Sequence, residues 1–354
     1  MTQRMLAGLL AVPLLGVLWV GALREPLPYV IYTPGITADI LGTENGTEII
    51  TVEGAKTYHD DGQLRFTTVY ATRAESDVNL FQLLGAWIDP DDAIYPREII
   101  YGPDDTDEAQ QEEGAFQMVT SQDTAVAVAL TELGYDVPSR PEVHRVLPDS
   151  PADGELEAGD ELLAINGIRV ATIEEAGQAV GGTPDDEPAE LEVRRDGERL
   201  TFSITRAEID GQLRLGFEMR QSYDFPVEVK FGIDPDIGGP SAGLMFSLAI
   251  YDTLTEGSMT GGDVVAGTGT ISPDGAVGPI GGIDQKIAGA REDDADVFLV
   301  PAANCDDAYE SPNGDMELVR VATMSEAVDA LEAYADDPNA GLPRCEEPTG
   351  VAGE

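Results

Sequence analysis

Ser241 and Lys286 are the two residues whose types and settings could do chemistry together. Ser241 follows Gly238-Gly239-Pro240 and opens a helical run rich in small and apolar residues. Its hydroxyl would sit beside free backbone N–H groups at the positive end of a helix dipole. Those N–H groups could also hold an oxyanion forming next to the serine. A serine that merely caps a helix occupies the same position, so the segment alone supports both roles. A nucleophilic serine needs a base. His59 lies in an acidic turn and His144 in a strand-like run, and no Ser-His-Asp pattern is suggested. A lysine serves instead when burial strips its proton near neutral pH. The chain has three lysines, Lys56, Lys230 and Lys286. Lys286 stands in GGIDQKIAGA, where Gly281, Gly282, Ala288 and Ala290 favour close packing over exposure.

The rest of the chain bounds what such a pair could act on. The 354 residues carry 20 basic and 67 acidic side chains, a formal charge of −47. A surface that negative repels phosphate backbones, which argues against nucleic acid as a partner. At 42% hydrophobic residues the chain can bury real cores, about two to three units' worth. Two cysteines and two distant histidines make a structural zinc site a poor fit, and no metal or cofactor is expected.

Leu6–Leu23 is eighteen residues without a charge. As a helix it would span about 27 Å, close to the hydrocarbon thickness of a bilayer. Arg4 precedes it and the acidic bulk follows, so the body is expected outside the cytoplasm on a single-pass anchor. Val20-Gly21-Ala22 also satisfies a leader cleavage site, so anchor and cleaved leader both remain open. An oxidising compartment permits a Cys305–Cys345 disulfide, and two separate thiols fit the sequence as well.

Residues 26–45, with three prolines, read as an extended connector. Glu48–Val52 and Gln63–Thr72 read as strands, residues 102–114 as an acidic surface loop, and Ser121–Leu133 as a helix capped by Ser121. VFLVPA reads as a buried strand and Met324–Tyr334 as a last helix.

Two stretches resemble known families. VHRVLPDSPADGELEAGDELLAINGIRV and LEVRRDGERLTFSITR are similar to a PDZ domain over residues 132–206. That resemblance implies peptide binding by strand addition, with Leu133, Gly134 and Tyr135 as the carboxylate loop and Ile173–Val180 as the opposite wall. GGPSAG, AGTGTIS and GPIGGIDQK resemble the three motifs of the Lon proteolytic domain. The resemblance implies Ser241 as nucleophile, Lys286 as general base and Thr268 as the lysine's support. Gly238 and Thr270 depart from the family, which usually carries acids at these places.

The implied fold is α+β: a Lon-type proteolytic domain with an inserted PDZ domain, preceded by one transmembrane helix. Its boundaries are 1–25 stub and anchor, 26–45 connector, 46–131 first peptidase part, 132–206 PDZ, 207–337 second peptidase part and 338–354 tail. Lon relatives form rings, so a homo-oligomer is compatible with it. The sequence holds no G-x-x-x-x-G-K-[ST] loop. The expected function is ATP-independent serine endopeptidase action on extracytoplasmic proteins, with protein tails as PDZ partners. The competing expectation is a PDZ scaffold on an inactive peptidase fold.

Overall fold

The computed structural model describes residues 25–44, 47–103, 105–209 and 211–346, with residues 11–14, 16 and 21. In chain order its main strands are β1 (Tyr29–Asp39), β2 (Ile50–Glu53), β3 (Gln63–Ala71), β4 (Ala93–Pro96), β5 (Ser139–Val146), β6 (Glu161–Ile165), β7 (Ala189–Arg195), β8 (Glu198–Ile204), β9 (Phe217–Tyr223), β10 (Glu228–Phe231), β11 (Val264–Gly267), β12 (Val297–Pro301) and β13 (Glu317–Val321). The helices that matter here are α1 (Leu80–Ile88), α2 (Arg97–Ile100), α3 (Asp107–Glu132), α4 (Ile173–Gly181), α5 (Gly243–Leu254), α6 (Ile283–Glu292) and α7 (Met324–Asp336).

The first sheet runs β13-β12-β11-β3-β1-β4. Its β13, β12, β11 and β3 are parallel, and β1 and β4 add antiparallel. β12 is buried along its whole length, as a continuous apolar run between two parallel neighbours must be. α5 is buried over most of its length and fills the core, where the Phe246 ring meets Phe66 and Phe231 at 5.8 and 5.2 Å. The second sheet, β8-β7-β6-β5-β9, is antiparallel around its own core of Val143, Leu162, Ile165, Leu191 and Val193.

Several expectations change. Residues 29–39 are not a connector but a strand inside the first sheet. Tyr29-Val30-Ile31-Tyr32 are strong strand formers, and Pro34 is accommodated at a register shift between Pro34 and Thr37. The helix expected from Ser121 begins at Asp107, where the Thr106 side chain accepts the Ala109 N–H. Residues 107–114 are polar because that half of α3 faces water, and Ser121 lies mid-helix. The second sheet extends past residue 206, because β9 pairs with β5 and packs Phe217 and Met219 on the second core.

Cys305 and Cys345 are joined as a disulfide across 40 residues. This ties the C-terminal segment back to the body, where Leu342 is buried and the Pro343 carbonyl accepts the Arg320 N–H. Most of Leu6–Leu23 lies outside the described residues. Among the described residues no helix is long and apolar enough to cross a membrane.

Candidate active site

Gly238-Gly239-Pro240 delivers Ser241 to the entrance of α5. The approach is shaped by α3: the Gly239 N–H donates to the Gly114 carbonyl at 2.8 Å, and Ser121 Oγ donates to the Pro240 carbonyl at 3.1 Å. A Cβ at residue 238 would sit 3.0–3.2 Å from the Gly114 backbone. The glycine found where an acid is common in Lon sequences therefore permits this close crossing. The Gly239 and Gly243 N–H groups are bonded within the protein. Among the described residues, the Ser241 and Ala242 amides have no protein acceptor, so two donors remain beside the hydroxyl.

Lys286 comes from the first turn of α6. That helix packs its small residues against β1 and buries Ile283, Gln285 and every residue from Lys286 to Ala290. Its N-cap, Gly282, has φ +69°, and a Cβ there would lie 2.8 Å from Val69. Only glycine fits both demands. Lys286 is 2% exposed, with Nζ 2.7 Å from Ser241 Oγ. The amine also donates to Thr268 Oγ1 at 3.0 Å, and that hydroxyl donates to the Ser241 carbonyl at 3.0 Å. Thr268 itself, between β11 and the next turn, is fully buried.

Burial alone lowers the Lys286 pKa from 10.5 to about 7. The large acidic excess does not reverse this: among the described residues no carboxylate pairs with Lys286, whose amine bonds Ser241 and Thr268, and surface charge is screened within about 8–10 Å. At neutral pH roughly half of such amines are free to accept a proton. Ser241, Thr268 and Lys286 are thus brought together from three separate segments.

Ser241 and Lys286 open onto a cleft of about 740 Å³. Its walls include Ile36 and Asp39 of β1, Thr67–Tyr70 of β3, Met118 of α3, and Ile233, Asp234 and Ile237 before the serine. Sequence reasoning assigned none of these to the site. Their only local signal was the strand character of residues 63–72, which says nothing about a partner 170 residues away. β3 outruns β11: their pairing ends at Phe66–Gly267, while β3 continues to Ala71 paired only with β1. An unpaired strand edge therefore borders the nucleophile.

Leu133, Gly134 and Tyr135, expected as a carboxylate loop, instead end α3. The Leu133 N–H donates to Ala129, that of Gly134 to Thr131 and that of Tyr135 to Leu130. With those donors spent, the segment has none left for a ligand. The two edges of the second sheet are β8 and β9, and Gly216, at φ +90°, turns the chain into β9. α4 flanks the same strand, and Gln221 of β9 donates to the Ala171 carbonyl just before that helix.

Two parts of the chain match known families. Residues 190–334 match the Lon protease (S16) C-terminal proteolytic domain, and residues 142–195 match the PDZ domain. The chain carries a Lon-type proteolytic domain and a PDZ domain. Lon protease of Haemophilus influenzae is 30% identical over 152 residues, 43% of this chain and 18% of that protein. Lon protease 2 of Bacillus subtilis is 31% identical over 108 residues, 30% of this chain and 19% of its own length. The chain thus spans under a fifth of these relatives. A PDZ domain of an SdrC-like protein from Listeria innocua is 21% identical, covering 23% of this chain and 92% of that domain at a TM-score of 0.21. Residues 190–223 of the Lon-type match fold into the second sheet, and the proteolytic body draws its remaining strands from residues 29–96.

Proposed function

We infer that this protein is an ATP-independent serine endopeptidase, held at the membrane by Leu6–Leu23 and acting on extracytoplasmic polypeptides. The observation that carries the reading is one buried amine, poised near neutrality, 2.7 Å from a hydroxyl at a helix entrance. Neutral Lys286 takes the Ser241 proton as Oγ attacks a peptide carbonyl. The Ser241 and Ala242 amides receive the oxyanion. The resulting ammonium then protonates the leaving amine, and water releases the acyl group with Lys286 again as base. Thr268 fixes the amine so that its lone pair faces Ser241.

The free edge of β3 supports binding of substrate as an extended strand. Only unfolded chains, loops or tails can enter that way. The edge of β9 beside α4 supports capture of a protein tail by the PDZ unit.

Two outcomes are expected. The purified protein cleaves unfolded casein at the same rate with and without ATP, and leaves a tightly folded protein intact. No cleavage of casein at any pH between 6 and 10 would sink the enzymatic reading and leave a scaffold. Thr268→Val keeps the side-chain volume and removes two hydrogen bonds, the one from the base and the one to the Ser241 carbonyl. It is expected to lower kcat about tenfold, the worth of roughly 1.4 kcal/mol, with KM little changed. An unchanged kcat would remove Thr268 from the mechanism.

A further inference from the structure

α1 is a nine-residue helix without a charge, and Ala86 is the one residue in it that is buried. Leu84 is 42% exposed, Trp87 77% and Ile88 75%. Apolar side chains this large and this exposed on one short helix mark a surface that is covered in use.

The position of α1 says by what. The Leu27 N–H donates to the carbonyl of Val78, the residue before the Asn79 cap of α1, at 2.9 Å. The Pro28 carbonyl accepts the N–H of Arg97, first residue of α2, at 2.9 Å. Ile99 of α2 is 69% exposed. The chain therefore leaves the first sheet between two exposed apolar elements. Leu23, the last residue of the uncharged run, precedes Leu27 by four positions, at most about 14 Å of extended chain. A bilayer around that run would end within reach of α1, itself about 13 Å long.

We propose that α1 is a lipid-docking face that lays the proteolytic body on the zwitterionic surface of its own membrane, Trp87 at headgroup depth. Tryptophan favours that depth, and a helix with an apolar face lies in the interface rather than across it. Asp89, Asp92 and Glu98 flank the face, while Asp91 is paired with Arg291, so anionic headgroups repel it. The inference rests on the anchored reading of Leu6–Leu23.

The test uses the full chain with Trp19→Phe, which leaves Trp87 as its one tryptophan. The protein is reconstituted in phosphatidylcholine vesicles and in matched vesicles of brominated phosphatidylcholine. Bromine is expected to quench Trp87 severalfold, and Ile88→Asp, at an exposed site, to relieve most of that quenching. Phosphatidylglycerol added at low salt is expected to weaken it, and high salt to restore it. Trp87 open to aqueous acrylamide and blind to bromine would overturn the proposal. So would a Trp87 shielded from both quenchers in a dilution-dependent way, which would mean a second copy covers the face. Extraction with alkaline carbonate reads the anchor separately. A chain that resists extraction with Trp87 in water keeps the anchor and loses the docking face. A chain that is extracted, yet was quenched by bromine beforehand, does the reverse.

Discussion

Lys286→Met is expected to silence peptide hydrolysis by about 10³-fold or more while making the protein more stable. The first half follows from its role, since a positioned general base supplies roughly 10²–10⁴ in rate. Ser241→Ala should fall further, to background, because the nucleophile itself is gone, and combining the two should add nothing. The second half follows from burial. A lysine whose pKa drops from 10.5 to about 7 on folding costs up to about 5 kcal/mol when charged, at 1.36 kcal/mol per pKa unit. Methionine has a similar volume and no charge to desolvate. It leaves Ser241 and Thr268 short of one hydrogen bond each, an offset of about 1–3 kcal/mol. The net gain should be visible as a raised denaturant midpoint at pH 6. A methionine variant that is less stable at that pH would mean the amine is not in a dry setting, and an active one would mean it is not the base.

The pH dependence supplies the second large effect. Activity requires the neutral amine, so kcat/KM should rise tenfold per pH unit below about 7 and level off above it. A rate that stays flat from pH 6 to 9, with chemistry limiting, would rule out Lys286 as base. Stability carries the same signature with its sign fixed by linkage. Between pH about 7 and 10.5 the unfolded chain holds a proton on Lys286 that the folded chain has released. Stability therefore rises with pH across that window, and the penalty is full below it. The stability gap between Lys286→Met and the parent should accordingly be widest below pH 7 and close as the pH approaches 10.5. A gap that does not vary with pH would contradict a depressed lysine pKa.

Both predictions turn on two residues visible in the sequence, and the site shows how far local signals reach. Gly238-Gly239-Pro240 and the apolar run after it specify a serine at a helix entrance, and α5 is found there. The small residues around Lys286 specify a close-packed helix, and α6 is one. The β-branched and aromatic runs at residues 63–72 and 297–301 fold as strands because alternation or continuous apolarity is a property of neighbouring residues. Local signals failed where distant segments decided the outcome. Prolines made residues 26–45 look like a connector, yet β3 and β4 supplied the partners that turned residues 29–39 into a strand. Gly134 looked like a ligand loop, yet α3, begun fourteen residues earlier than its apolar half suggests, ends there and uses the N–H groups.

What the sequence determined by itself is the identity of the chemistry: a hydroxyl at a helix start, one lysine among small residues, and the cysteines able to pair, with Thr268 added by the resemblance to the Lon motifs. Only the tertiary structure decided that these groups meet, that the lysine is dry, and that the cleft is walled by β1, β3 and α3. The reason is physical. Turn and helix signals act over a few residues, whereas the pKa of an amine depends on everything that excludes water from it, here segments drawn from both ends of the chain.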